Sequence, residues 1–403
     1  MSGNMERVLR LMVEKKASDV YLSTRSAILI KIHGSIIQMS EQLLTPQQIR
    51  SLLAEVISPK QMEELDESGE LNIGVGVAGA GLFRLSAFRQ RGSLAAVFRC
   101  IPTEIPQFST LGLPTVLETL ITEKRGLILM VGATGTGKST TLAAMLEHRN
   151  QTMSGHILTI EDPVEFLFAH KKSVVNQREV GRDTASLKIA LKNALRQAPD
   201  VILIGEIRDQ ETMSAAISYA LSGHLVVATL HANNSYHALG RILSFYPPEA
   251  RPALLADLAA GLKSIISQRL LRPYSGGRVP AVEVMINTKL IGELIERGDF
   301  NGVKEAMEKS MTAGSQTFEQ DIARMIRAGI VSREEGLLNA DSPTNLMWRL
   351  QNDSTPMSKA VAPEPKPEDV SDETTFTEIS LDVPAEKPPA PPPKPSMFPK
   401  LSV

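Results

Sequence analysis

Lys138 and Ser139 close the turn Gly132-Ala133-Thr134-Gly135-Thr136-Gly137, and this stretch is the part of the chain best suited to hold phosphate. The eight residues fit GxxxxGK[ST] at every fixed position. Glycines let the backbone curl so that N–H groups point inward at phosphate oxygens. An ammonium at Lys138 reaches β- and γ-phosphate oxygens, and a hydroxyl at Ser139 can ligate Mg²⁺. Before the turn, Gly126 to Val131 is a short aliphatic run that reads as a buried strand; after it, Thr140 to Leu146 has the composition of a helix start. A helix N-terminus adds partial positive charge where the phosphates would lie. The implied ligand is a nucleoside triphosphate, ATP in the first instance, cradled by residues 132–140.

Hydrolysis needs more than a cradle. One carboxylate must hold Mg²⁺ together with Ser139, directly or through water, and another must orient the attacking water. Three further aliphatic runs, HILTI, DVILI and LVVATL, end in residues able to do this. Glu161, Asp162 and Glu165 follow the first, Glu206 the second and His231 the third. Glu206 fits the metal task, because an aliphatic strand ending in an acid is the Walker B arrangement. Glu165 is the better candidate for the water. His231 suits a γ-phosphate sensor, with His224 as its support. Polar residues at the ends of four aliphatic runs match the rule that open α/β sheets bind ligands at strand carboxyl ends.

Those strands need helices between them, which predicts a mostly parallel sheet with crossover connections. One crossover is ASLKIALKNALRQ behind Thr184, with Leu187, Ile189 or Ala190, Leu191, Ala194 and Leu195 as its buried stripe. Residues 1–101 read as a separate small α/β domain. Its first helix sets Val8, Leu9, Met12 and Val13 on one face, and Thr45-Pro46 starts another. In Phe83-Arg84-Leu85-Ser86-Ala87, alternation sends the arginine outward. Arg84, Arg89, Arg91 and Arg99 are either solvated strand-edge residues or fingers that reach a neighbouring subunit's phosphates. A proline-punctuated linker, 102–115, leads to the nucleotide core at 116–288. Residues 289–351 read as helical, with start signals at Ser332 and at Ser342-Pro343. From 352 to 403 the chain is rich in proline and charge, and it is predicted to be a disordered tail whose PPAPPPKP could dock as polyproline II.

The composition excludes several classes. The formal net charge over 403 residues is −2, and the pI is about 6.4. No bulk positive field therefore draws nucleic acid, and no aromatic-plus-basic strand platform is evident. The expectation is of no nucleic-acid partner, which weighs against a translocase on the same scaffold. A single cysteine, Cys100, rules out an internal disulfide and a cysteine-rich zinc site, and agrees with a cytoplasmic setting. No apolar run approaches the roughly 18 to 20 residues of a spanning helix. The first twenty residues lack a signal-peptide core, with Arg7, Arg10, Lys15 and Lys16 spread among them. No direct membrane insertion is expected; attachment would come through a partner.

Taken together, GATGTGKS, ILTIEDPVEF, PDVILIGEIRD and SGHLVVATLHA resemble, in that order, the four motifs of the secretion ATPases of type II and type IV pilus systems. FRLSAFRQR and VFRCIP resemble the arginine-bearing strands of that family's N-terminal domain. The resemblance spans residues 5 to 350. It implies a RecA-like P-loop core with a mostly parallel sheet, preceded by a small PAS-like α/β domain. It also implies Mg²⁺-dependent ATP hydrolysis in a cytoplasmic homohexamer at the inner face of the inner membrane. Arg84 and Arg99 would complete the site between domains or subunits, and Arg178 would be a subunit contact. The chain looks like the pilus retraction branch, because its N-terminal domain is short and a tetracysteine cluster is impossible. It resembles the PilU-type members of that branch in VGATGTGKS, ALKNALRQAPDVILIGE, ATLHANN, QTFEQDI and NADSPTNL. Expected partners are an inner-membrane pilus platform protein and, for an accessory PilU-type motor, a PilT-type retraction ATPase. One stretch departs. Where retraction motors carry an AIRNLIRE-like helix, this chain has Leu290 to Arg297 with Gly292 and Glu293 at its centre. The departure favours an accessory motor and keeps open a nucleotide-switched adaptor with little turnover; an assembly ATPase is the other alternative.

Overall fold

The computed structural model describes residues 3–32, 35–102 and 104–352, and the chain divides after Cys100 into two compact units. The first holds a six-stranded sheet made of β1 (Asp19–Leu22), β2 (Leu29–Ile32), β3 (Ser35–Gln38), β4 (Glu70–Val77), β5 (Gly81–Gln90) and β6 (Ser93–Ile101), in the order β3-β2-β1-β6-β5-β4. Helix Asn4–Glu14 buries Met5, Val8, Leu9 and Met12 against it. Val13, expected on that face, is 38% exposed; Met5, about two turns earlier, is buried instead. Helices Pro46–Ala54 and Pro59–Ser68 both open with complete capping boxes, at Thr45 with Gln48 and at Ser58 with Gln61. Alternation holds in β5, where Phe83, Leu85 and Ala87 are buried.

The second unit is built on β7 (Gly126–Val131), β8 (Gly155–Glu161), β9 (Ser173–Glu179), β10 (Val201–Ile204), β11 (Leu225–Leu230), β12 (Leu262–Leu271) and β13 (Val279–Ile286). Their order is β13-β12-β7-β11-β10-β8-β9, parallel throughout except for the β12–β13 pair. All six residues of β7 are buried. Leu127, Leu129 and Val131 pack on one face of the sheet, Ile128 and Met130 on the other. Coverage on both faces is what makes such a strand read as an unbroken aliphatic run. The four aliphatic runs of the sequence are the four central neighbours, β7, β11, β10 and β8. Edge strand β9 and the pair β12–β13 do not stand out in the sequence, because SVVNQRE and KSIISQRLL are broken by polar residues.

Crossover helices run over Lys138–Thr152, Leu187–Ala194 and Gln210–Leu221. The middle one starts later than expected: Ser186, not Thr184, accepts the Ile189 N–H at 3.2 Å. Of its expected stripe, Ala190, Leu191 and Ala194 are buried, but Ile189 and Leu195 are 49% and 40% exposed. Leu195 itself opens a 3₁₀ turn, Leu195–Gln197, that follows the helix. Among the described residues five further helices come after β13: Lys289–Glu296, Phe300–Glu308, Phe318–Arg327, Arg333–Asn339 and Pro343–Asn352. Gly292 and Glu293 lie in the first, which keeps Ile291 and Ile295 buried. Among the described residues no helix is long and apolar enough to cross a membrane. The proline-rich stretch from residue 353 on lies outside the described residues.

Glu283 on β13 is buried between β12 and helix Ser235–Ser244. One of its oxygens accepts from the Ser235 N–H at 2.8 Å, the Ser235 hydroxyl at 2.6 Å and the Ser267 hydroxyl at 2.8 Å. Burial is the largest influence and pushes its pKa up, against those donors. A carboxyl with a raised folded-state pKa contributes stability below its unfolded pKa and loses it as pH rises through the folded value. The neutral isostere in Glu283→Gln should therefore gain on the native protein as pH rises. Thermal unfolding at pH 5 and pH 8 checks this: the variant's melting temperature, relative to the native protein's, is expected to be higher at pH 8.

Candidate active site

The turn between β7 and helix Lys138–Thr152 is shaped by backbone that only glycine enters without strain. Gly135 has φ +81° and Gly137 φ +87°. A carbon added at Gly132 would sit 2.7 Å from the Gln268 carbonyl oxygen, and one at Gly137 would sit 2.8 Å from Gln268 Nε2. Lys138 Nζ donates to the carbonyl oxygens of Gly132 and Ala133, both at 2.8 Å. Burial lowers the lysine's pKa, and the charges of Glu206 and Glu165 act the other way.

A cavity of about 730 Å³ opens beside this turn. Thr134, Gly135 and residues 137–140 line it, with Glu161, Asp162, Glu165, Glu206, Arg208 and His231. The parallel register explains the convergence. Ile160 is level with Ile204, Ile204 with Ala228, and Leu230 with Val131. The turns leaving β7, β8, β10 and β11 therefore emerge at one edge of the sheet.

Glu206 is bound on both sides. Oε2 accepts from Arg208 Nε at 2.8 Å, while Oε1 lies 3.2 Å from His231 Nε2. Glu165 is exposed to the cavity. Its turn is fixed by two buried acids that sequence reasoning did not single out for that work. Glu179 accepts from the Val164 N–H at 3.1 Å, and Glu161 from the Glu165 N–H at 3.4 Å. Glu161 also accepts from the Thr159 hydroxyl at 2.7 Å, and burial is the largest influence, pushing its pKa up. The signal available was position: Glu161 ends a largely aliphatic strand and Glu179 ends β9.

His224 stands elsewhere, and its expected place beside His231 is corrected. It precedes β11, and its carbonyl accepts from the N–H of Gly126 at the start of β7. The whole strand, about 20 Å of extended chain, separates it from His231. Its ring meets Ser222 Oγ at 3.2 Å. Arg84 and Arg99 belong to the first unit, and neither lines the cavity. Arg99 pairs with Asp19 at 2.8 Å, and Arg89 with Asp66 at 2.9 Å. Arg84 Nε is buried with no hydrogen-bond partner among the described residues. Arg178 donates to the Asp183 carbonyl.

The model of the Type II/IV secretion system protein family matches residues 3–338. The chain belongs to that family. It is 44% identical over 342 residues to the type IV pilus ATPase PilU of Pseudomonas aeruginosa, covering 85% of this chain and 90% of the relative. To the type IV pilus retraction ATPase PilT of the same organism it is 37% identical, covering 85% and 99%. Among solved structures, that of the pilus retraction motor PilT with bound ADP has a TM-score of 0.81 at 40% identity, covering 86% of this chain and all of that one. The Legionella pneumophila ATPase DotB has a TM-score of 0.70 at 27% identity, covering 83% and 94%. The chain is thus an ATPase of the pilus retraction branch of this family.

Oxygen donors at Ser139 and Glu206 suit a hard cation such as Mg²⁺. Among the described residues no cluster of three or more His, Cys, Asp or Glu could hold a metal alone. The remaining positions would fall to phosphate oxygens and water, which is how Mg²⁺ is commonly held at nucleotide sites. Gly137→Ala should damage the cradle locally, because a side chain at φ +87° costs about 1–2 kcal/mol. Titration with ADP is expected to show affinity at least about tenfold weaker.

Proposed function

We propose that this chain is the Mg²⁺-dependent ATPase of a cytoplasmic homohexameric ring serving type IV pilus retraction, in the accessory PilU-type role beside a PilT-type motor. The observation that carries the reading is the convergence of Lys138, Ser139, Glu165, Glu206 and His231 on one cavity. Backbone N–H groups of residues 132–139 and the Lys138 ammonium hold the β- and γ-phosphates. Glu165 orients a water for in-line attack on the γ-phosphorus and takes its proton as ADP leaves. Glu206 holds His231 near the γ-phosphate, where the imidazole senses its presence. Ser139, and Glu206 through water, would hold Mg²⁺, which would supply charge neutralisation at the phosphate oxygens. Arg84 and Arg99 act from the N-terminal unit of the same or a neighbouring subunit. The ring sits at the inner face of the inner membrane by contact with the pilus platform protein, with no nucleic acid involved.

One feature favours a second reading, a nucleotide-switched adaptor with little turnover of its own: Gly292 and Glu293 at the centre of helix Lys289–Glu296. Turnover by the purified protein decides between them. Lys138→Ala and Glu206→Ala are expected to lose about 100-fold or more in ATP hydrolysis, and Glu165→Gln about as much while still binding ATP. Equal turnover in all four proteins would end the site assignment, and ATP-dependent ring formation with negligible native turnover would favour the adaptor. In the parent cell, deletion is expected to leave surplus pili that fail to retract; loss of pili would point to assembly.

A further inference from the structure

Gln268 on β12 touches the phosphate cradle from outside the cavity. Its neighbour Ser267 is level with Val131, the last residue of β7, so the Gln268 backbone runs beside the first residue of the turn. The side chain is 2% exposed. Nε2 donates to the Thr136 carbonyl at 2.8 Å, and Oε1 accepts from the Thr141 hydroxyl at 2.8 Å. Thr141, also 2% exposed, stands in the first turn of the next helix. One buried amide therefore spans from the loop to the helix across Gly137, Lys138, Ser139 and Thr140, and neither it nor Thr141 lines the nucleotide cavity.

Peptide planarity links this contact to the cavity. In a trans peptide the carbonyl of one residue and the N–H of the next point in opposite directions. With the Thr136 carbonyl drawn outward to Gln268, the Gly137 N–H is turned the other way. Gly137 is the residue most able to let this peptide flip, since it has no side chain and sits at φ +87°. Gln268 also needs an orientation, because an amide presents a donor on one side and an acceptor on the other. The Thr141 hydroxyl donates to the oxygen and so leaves the nitrogen facing the loop.

We propose that Gln268 is a positioning residue for the phosphate cradle: it holds the Thr136–Gly137 peptide with its N–H aimed at phosphate, and Thr141 sets the orientation of its amide. The inference rests on the nucleotide reading above. Gln268 touches no reacting group, so its loss acts on binding and not on the chemical step.

The test uses the full chain, with ADP titration and steady-state ATP hydrolysis. Gln268→Leu is expected to weaken ADP binding and raise KM for ATP, each about tenfold, while kcat at saturating ATP stays within about twofold. Thr141→Val is expected to move both quantities the same way by about threefold, and Thr141→Ser, which keeps the hydroxyl, to restore them. If Gln268→Leu fails to fold, the Val and Ser pair at Thr141 decides. Unchanged ADP affinity with a lowered melting temperature would make the amide a brace of the fold and overturn the proposal. So would a fall in kcat without a fall in affinity. Failure of the native protein to bind ADP would instead overturn the nucleotide reading itself.

Discussion

Placing a half-buried lysine in the same cavity as Glu165 and Glu206 is the constraint on which this site rests. Burial weakens the hold of Lys138 on its proton, and the charges of Glu206 and Glu165 strengthen it. The acids in turn need fixed partners: Arg208 and His231 for Glu206, and the backbone turn pinned by Glu161 and Glu179 for Glu165. Loose side chains could not keep such charges apart and still face one ligand. The parallel sheet can, because its central strands are buried on both faces and end in register.

That rigidity has a polar side. β12 carries three successive polar residues, Ser267, Gln268 and Arg269, in a strand otherwise largely buried. Ser267 bonds Glu283, and Gln268 bonds the phosphate turn. Arg269 pairs with Asp341, donates to the carbonyls of Asn339 and Asn233, and stacks over Phe318 at 4.0 Å. Asp341 also receives the Asn234 amide at 2.8 Å, just past the loop that begins with His231. One strand thus ties together the phosphate turn, the histidine loop and the C-terminal helices of the second unit.

The chemistry-bearing turns are legible in the sequence because their cause is local. GxxxxGKS needs only its own residues, and aliphatic runs ending in Glu161, Glu206 and His231 announce buried parallel strands. The features that escape sequence reading depend on partners far along the chain. Glu179 serves the turn at Val164, and Gln268 serves Thr136, a separation of 132 residues. His224 shows that nearness in sequence is not nearness in space within a strand: seven extended residues carry a side chain to the opposite edge of the sheet. The start of the 187–194 helix shifts to Ser186 for a local reason, since that hydroxyl caps the Ile189 N–H.

Triphosphate gripped at the Lys138 turn and split by acids from neighbouring strands is the central claim. The most direct measurement is a structure of the native protein with Mg²⁺ and a non-hydrolysable ATP analogue. The expected result has the β- and γ-phosphates within the N–H groups of residues 132–139, Ser139 and Glu206 flanking the cation, and Glu165 facing the γ-phosphate. An analogue bound away from this turn, or Glu165 and Glu206 directed away from its phosphates, would contradict the claim.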